Sequence, residues 1–252
     1  MYRLIFRTQG DVQPDIQVIE RGRVRYLRFG DHGGWQGAID VSRPDRPVFP
    51  YQRAFMTLAD SLPRVERFLS VGVGTGTALR HVAHRHPQAR LTGVEIDRRV
   101  IDVATAFFAC PGPDRVEYWI GDGVWFLAAA RTSFDLVFVD AYLSDRVYSP
   151  CVTPEFARRL AEVVAPDGVA ACNLIFAWPP SGMMRAFLDA AAGSFAGVWL
   201  LPVGLPGGEQ NVLAVFAQRT DVGPAWRRTM IRHPWLHWSE RWLWPWRLRT
   251  YH

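Results

Sequence analysis

The sequence predicts an α/β fold in which helices cover both faces of a mostly parallel β-sheet. Short apolar runs alternate with segments of helical periodicity from residue 51 onward, as in chains that form parallel sheets. A glycine-rich loop follows the first of these runs and opens a helix, which is typical of doubly wound, Rossmann-like sheets. Acidic residues occur where successive runs end. Together these features favour one large domain with a small appended region.

Residues 1–50 are predicted to form a small β region. Two strands, residues 16–19 and 24–29, flank Arg21-Gly22, which is typical of a hairpin. Residues 51–62 have apolar side chains at helical spacing and are followed by Pro63. A helix is therefore predicted there.

Seven strands of the main sheet are predicted after this helix. They lie at residues 68–73, 91–94, 116–120, 134–139, 169–176, 198–203 and 211–217. Helices are predicted in the intervals, for example at residues 75–86, 153–164 and 181–192. Only residues 204–210 connect the last two strands. Because this is too short for a parallel crossover, the seventh strand is predicted to be antiparallel to the sixth.

The candidate binding site lies at the carboxyl ends of these strands, where open α/β sheets bind ligands. Gly72, Gly74 and Gly76 follow the first strand, and glycine lets the backbone approach a ligand closely. Glu95 ends the second strand, where an acid can accept hydrogen bonds from two ribose hydroxyls. The structural alternative for the glycines is a tight turn, and for Glu95 it is a solvated acid at a strand end. The glycines and Glu95 would also suit a protein that binds NAD.

Two further acids help to distinguish these ligands. Asp122 lies between two glycines after the third strand, where it can accept a hydrogen bond from an adenine amino group, cap the next helix, or do both. Asp140 ends the fourth strand, where a carboxylate can take a proton from an amine or stabilise a sulfonium charge. A structural acid is the alternative at Asp140. An NAD-dependent dehydrogenase leaves both acids without a role, so the pattern favours a sulfonium nucleoside, S-adenosylmethionine or its decarboxylated form.

Several motifs resemble those of one family. Val94-Glu95-Ile96-Asp97, Gly121-Asp122-Gly123 and residues 135–140 follow the order found in spermidine synthases (polyamine aminopropyltransferases), a branch of the class I methyltransferase-like fold. Residues 152–156 and 202–207, and the segments Trp35-Gln36-Gly37 and Tyr51-Gln52, also resemble segments of that family. The resemblance covers nearly the whole chain.

The resemblance implies that Asp140 is the catalytic acid-base residue. It also implies a small-molecule acceptor, expected to be an amine, and a homodimer. The residues expected to hold the nucleoside are Gln36, Gln52, Gly72, Gly74, Thr75, Gly76, Glu95, Ile96, Asp122 and Gly123. Those expected to hold the acceptor are Tyr51, Tyr142 and Asp145.

Three positions differ from the family pattern. Thr75 stands where the family has an Asp that pairs with the ammonium of the aminopropyl group. Leu143 replaces a second acid at the acceptor site, and Arg53 replaces a Glu. A buried, unpaired ammonium is costly, so a dicationic polyamine is disfavoured as acceptor unless another acid, such as Asp145, takes part. Because Thr75 tolerates a carboxylate on the donor, transfer of a methyl or aminocarboxypropyl group is an alternative to transfer of an aminopropyl group.

The C-terminal segment is rich in Trp and Arg. Residues 223–252 hold six Arg and one acid, Glu240, so they carry the whole formal charge of +5. They also hold six of the eleven Trp residues. Packing on the domain or on a second subunit is the favoured interpretation. Contact with a membrane surface is the first alternative, and contact with nucleic acid is the least favoured.

These observations divide the chain into three parts. They are an N-terminal β-hairpin region (1–50), a Rossmann-like nucleoside-binding catalytic domain (51–220) and a Trp/Arg-rich appendage (221–252). No apolar run reaches the roughly 18 residues of a membrane-spanning helix, and residues 1–10 show no signal pattern, so we expect a cytoplasmic protein. The three cysteines lack metal-ligand spacing, and no metal is expected. A transferase is the first hypothesis; a non-catalytic relative acting as a scaffold or membrane-surface module is the second.

Overall fold

The computed structural model describes residues 1–143, 146–204 and 208–252. The N-terminal region is a four-stranded antiparallel sheet whose strands are β1 (Arg3–Thr8), β2 (Ile16–Arg21), β3 (Val24–Phe29) and β4 (Trp35–Asp40). The predicted hairpin joins β2 to β3, and Gly22 in its turn has a φ of 58°, a left-handed conformation that glycine adopts readily. Strands β1 and β4 were not predicted, because neither has a regular alternation of apolar residues.

The rest of the described chain alternates strands and helices. In chain order the elements are α1 (Pro50–Ser61), β5 (Arg67–Val71), α2 (Thr77–Arg85), β6 (Arg90–Glu95), α3 (Arg98–Phe107), β7 (Val116–Ile120), α4 (Gly123–Ala129), β8 (Phe134–Val139), β9 (Tyr142–Leu143), β10 (Arg146–Val147), a 3-10 helix (Ser149–Val152), α5 (Pro154–Val163), β11 (Val164–Phe176), α6 (Gly182–Ala192), β12 (Gly197–Pro202), β13 (Gln210–Ala217), α7 (Val222–Arg232), α8 (Trp238–Arg247) and β14 (Arg249–Thr250).

The main sheet, within the described residues, has the strand order β7-β6-β5-β8-β11-β13-β12-β14. Neighbouring strands from β7 to β11 are parallel, while β13 lies between β11 and β12 and is antiparallel to both. The predicted α/β class and the antiparallel seventh strand are therefore confirmed. The predicted number of strands was wrong, since β14 adds an eighth. That strand has only two residues, both exposed, and so leaves no apolar pattern in the sequence.

The strand order reverses at β5, and this reversal places the site. Strand β6 lies on one side of β5 and β8 lies on the other, so the loops after β5 and β8 leave the sheet beside each other. The backbone N–H of Asp140 donates to the carbonyl oxygen of Val71 at 2.8 Å. A crevice at such a reversal is where doubly wound sheets bind their ligands.

The C-terminal segment packs on helix α1. Trp226 of α7 is fully buried, and its indole N–H donates to the hydroxyl of Thr57 at 2.8 Å. Asp60, near the end of α1, bonds His81 of α2 at 3.0 Å and His233, which follows α7, at 2.9 Å. Burial by itself would raise the pKa of Asp60, but these hydrogen bonds hold it well below its usual value. Within the described residues, no helix is both long enough and apolar enough to cross a membrane.

Candidate active site

A cavity of about 380 Å³ opens at the carboxyl ends of β5, β6 and β8. Strand β4 and the start of α1 close it from the N-terminal side. The predicted site residues that line it are Gln36, Tyr51, Gln52, Gly72, Gly74, Thr75, Glu95, Ile96, Asp122, Gly123, Asp140 and Tyr142. Gly76 lies outside this lining, and Asp145 lies outside the described residues.

The glycine loop brings the ends of β5 and β8 into contact. Gly72 has a φ of 84°, and a β-carbon on it would lie 2.3 Å from the carbonyl oxygen of Asp140. Gly76 begins α2 with a φ of 68°, and a β-carbon there would lie 2.1 Å from the sulfur of Cys110. Both positions exclude larger residues. Gly76 packs closely against Cys110, which follows α3, and the ligand contact expected for it stays a prediction.

The Glu95 carboxylate accepts hydrogen bonds from two backbone amides of the glycine loop after β5 and from the two amides that follow Glu95 itself. One carboxylate oxygen accepts the N–H groups of Val73 at 3.0 Å and Gly74 at 3.3 Å. The other accepts those of Ile96 at 3.0 Å and Asp97 at 3.4 Å. Burial raises the pKa of Glu95, and these amides oppose that rise. The carboxylate thus shapes the glycine loop, and ribose hydroxyls would have to displace its longer, weaker bonds.

Asp122 caps helix α4 and also bonds an aromatic side chain in the cavity wall. One of its oxygens accepts the N–H of Val124 at 2.7 Å, and the other accepts the hydroxyl of Tyr148 at 2.6 Å. This hydrogen bond to the carboxylate raises the pKa of Tyr148 to about 12. Tyr148 was not predicted as a site residue, because it lies in an irregular segment without a recognisable motif.

Asp140 is held by two neighbouring side chains. Its carboxylate accepts a hydrogen bond from the amide of Asn173 at 2.8 Å and another from the phenol of Tyr51. The side-chain oxygen of Asn173 in turn accepts the amide of Asn211 at 2.9 Å, and its backbone carbonyl accepts the hydroxyl of Tyr142 at 3.0 Å. Burial raises the pKa of Asp140 to about 6, although Asn173 and Tyr51 oppose the rise. A carboxylate with this pKa is suited to accept a proton near neutral pH.

Asn173 and Asn211 were missed at the sequence level. They lie in the adjacent strands β11 and β13, and their side chains are hydrogen-bonded to each other at the end near the cavity. Each is a polar residue within or beside an otherwise apolar run. This contrast could have marked them as site residues, because a polar side chain in a buried strand needs a hydrogen-bond partner.

Gln52 offers a polar atom to the cavity. Its side chain is only 6% exposed, and its amide N–H lies 3.4 Å from the hydroxyl of Tyr51. Its carbonyl oxygen has no hydrogen-bond partner among the described residues. A buried, unsatisfied acceptor costs about 1–3 kcal/mol, so a ligand that donates a hydrogen bond here would relieve that cost.

The positions that differ from the family pattern leave the cavity without extra charge. Thr75 is 2% exposed and its hydroxyl lies 3.0 Å from that of Thr77. Arg53 is not part of the described lining; it points to the C-terminal segment, where it forms an ion pair of 2.5 Å with Glu240. Of the lining residues that the structure describes, three are acids (Glu95, Asp122 and Asp140) and none is Lys, Arg or His. The cavity therefore favours a cationic ligand.

Comparison with known proteins identifies the family. Residues 48–193 match the spermine/spermidine synthase domain. The chain belongs to this family. It is 26% identical over 219 residues to the polyamine aminopropyltransferase of Chromobacterium violaceum, covering 86% of this chain and 81% of that protein. The resemblance stated from the motifs is thus confirmed, and the family is one of transferases.

Solved structures show the same fold. A probable spermidine synthase from Corynebacterium glutamicum superposes with a TM-score of 0.74 at 18% identity, covering 91% of this chain and 88% of that one. A spermidine synthase in complex with the transition state analogue AdoDATO superposes with a TM-score of 0.67 at 19% identity, covering 88% of this chain and 76% of that one. At these identities the structural likeness supports the fold alone.

Proposed function

We propose that this chain transfers an alkyl group from a sulfonium nucleoside, S-adenosylmethionine or its decarboxylated form, to an amine or another small nucleophile. The observation that carries the proposal is the charge of the cavity, which has three acids and no basic residue within its described lining. A sulfonium and an ammonium are both stabilised there, whereas the diphosphate of NAD would meet no positive side chain. Gln36, Gln52, Glu95, Ile96 and Asp122 are proposed to hold the nucleoside.

Asp140 is proposed to act as the base. An ammonium has no free electron pair, so its proton passes to the Asp140 carboxylate before the nitrogen attacks the carbon bound to sulfur. The new C–N bond forms as the C–S bond breaks, and the electron pair stays on sulfur, which becomes a neutral thioether. Transfer of a propyl-type group releases methylthioadenosine, and transfer of methyl releases S-adenosylhomocysteine. Asn173 and Tyr51 keep the Asp140 carboxylate oriented, and Tyr51 and Tyr142 are proposed to contact the acceptor.

A non-catalytic scaffold is less well supported. A binding module has no need for a carboxyl group whose pKa is raised to about 6 in the interior of a cavity, and raised values of this kind concentrate at catalytic sites. The homodimer, the cytoplasmic location and the amine acceptor stay predictions.

Binding calorimetry tests the proposed ligand class. We expect the purified chain to bind at least one of S-adenosylmethionine, decarboxylated S-adenosylmethionine and methylthioadenosine, because the cavity offers acids and the unsatisfied oxygen of Gln52. NAD serves as the control and is expected not to bind. Folded protein that binds none of the three sulfur nucleosides, or that binds NAD instead, would contradict the proposal.

Thr75→Asp tests which donor the cavity prefers. The new carboxylate adds a negative charge to the glycine loop, so it attracts an ammonium and repels a carboxylate. We expect affinity for decarboxylated S-adenosylmethionine to rise and affinity for S-adenosylmethionine to fall, each by about tenfold, which corresponds to about 1.4 kcal/mol. Thr75→Asn is the matched, uncharged control. Affinities that move in the same direction for both donors would show that position 75 does not discriminate between them.

A further inference from the structure

Helix α8 exposes a row of aromatic side chains. Trp238, Trp242 and Trp246 are 67%, 66% and 82% exposed, and their spacing of four residues places them on one face of the helix. Leu243, 42% exposed, widens this face. The opposite face is buried through Trp244. A helix that is apolar on both sides is normally covered on both sides, so the exposed face is a candidate interaction surface.

The C-terminal segment that carries this aromatic face is basic. The exposed arginines of the C-terminal segment are Arg227, Arg228, Arg232, Arg241 and Arg249. None of them forms an ion pair with another described residue. The one acid of residues 223–252, Glu240, is already paired with Arg53. The C-terminal segment therefore combines exposed indole rings with exposed arginines, among them Arg241 on α8 itself, that form no ion pair with a described acid.

We propose that the exposed face of helix α8 docks on an anionic membrane surface. Indole rings favour the boundary between lipid headgroups and acyl chains, and each arginine near an anionic surface adds about 1 kcal/mol of attraction. This attachment is peripheral and does not depend on the chemistry of the cavity.

Two other occupants fit the surface less well. A second copy of the chain joined by a twofold axis would bring the two basic segments together, and the one acid of residues 223–252, Glu240, is already paired with Arg53. Single-stranded nucleic acid is held in charged grooves whose aromatic side chains stack with successive bases. Here the tryptophans project from the outer face of a helix.

Vesicle co-sedimentation of the full chain tests the proposal. We expect at least tenfold stronger partitioning into vesicles of 70% phosphatidylcholine and 30% phosphatidylserine than into phosphatidylcholine alone, on the order of the attraction from one or two arginines. The variant Trp238→Ala/Trp242→Ala/Trp246→Ala should lose this binding by at least tenfold. Trp125→Ala is the matched control, because Trp125 is 74% exposed on α4, and it should bind like the unmodified chain.

A second variant separates charge from aromatic contact. Arg232→Glu/Arg241→Glu keeps the three tryptophans. It should weaken binding to the vesicles that contain phosphatidylserine and leave binding to pure phosphatidylcholine vesicles unchanged. Equal sedimentation of the unmodified chain and the triple variant would overturn the proposal. So would a dimer in solution that the triple variant converts to monomer, which would assign the face to a second copy. Binding of a single-stranded RNA that the triple variant loses, without vesicle binding, would assign it to nucleic acid.

Discussion

Asp140→Asn is expected to lower turnover by about 10²–10⁴-fold, the usual contribution of a positioned base. The amide has nearly the shape of the carboxylate and can still accept the hydrogen bond that Asn173 donates at 2.8 Å. It cannot accept a proton from an ammonium. Turnover is measured by chromatography of the methylthioadenosine or S-adenosylhomocysteine released in the presence of a panel of amines. Unchanged turnover would show that Asp140 is not the base.

The pH profile of the unmodified enzyme is the control for this result. The base must be ionised, and burial raises the pKa of Asp140 to about 6, so activity should rise with pH through about 6 and then level off. Asn173→Ala removes a hydrogen bond that favours the ionised form and should move this inflection to higher pH. Nucleoside affinity of Asp140→Asn, measured by calorimetry, separates a lost base from a collapsed cavity.

Much of this site could be predicted from the sequence, because its acids stand at strand ends. Glu95 and Asp140 each follow an apolar run, and parallel strands bring their carboxyl ends to one edge of the sheet. Hydrophobic periodicity reports which side of a strand is buried. It therefore recovered the central strands, while the short connection between the last two predicted strands indicated the direction of the seventh.

The remaining features depend on contacts between distant parts of the chain. Asn173 reaches Asp140 only because β11 lies beside β8, and Tyr148 reaches Asp122 from an irregular segment. The close packing of Gly76 against Cys110 was likewise not visible in the motif. A motif defines the type of loop, whereas the direction in which each residue faces is decided by packing.

The C-terminal segment shows the same limit, since residue composition does not reveal which of its tryptophans are buried. Trp226 is fully buried and Trp246 is 82% exposed, although both lie among arginines. Trp226 packs in the core cluster that also includes Leu58 of α1 and Trp199 of β12. Helix α7 is therefore part of the hydrophobic core.

Trp226→Ala is expected to lower the free energy of unfolding by about 3–5 kcal/mol, the usual cost of removing a buried aromatic side chain. The change leaves a cavity between α7 and α1 and removes the hydrogen bond to the hydroxyl of Thr57. Chemical denaturation followed by circular dichroism measures the loss. Trp226→Phe keeps most of the apolar contact and should cost less, so the two variants separate packing from the hydrogen bond.

Trp246→Ala is the matched control within the same segment. Its side chain is 82% exposed, and surface substitutions usually change stability by less than about 0.5 kcal/mol. Because α1 begins at the cavity with Tyr51 and Gln52, loosening α7 from α1 should also weaken nucleoside binding in Trp226→Ala but not in Trp246→Ala. Equal stability of the two variants would mean that the C-terminal segment is a detachable appendage, and that the position of α1 does not depend on it.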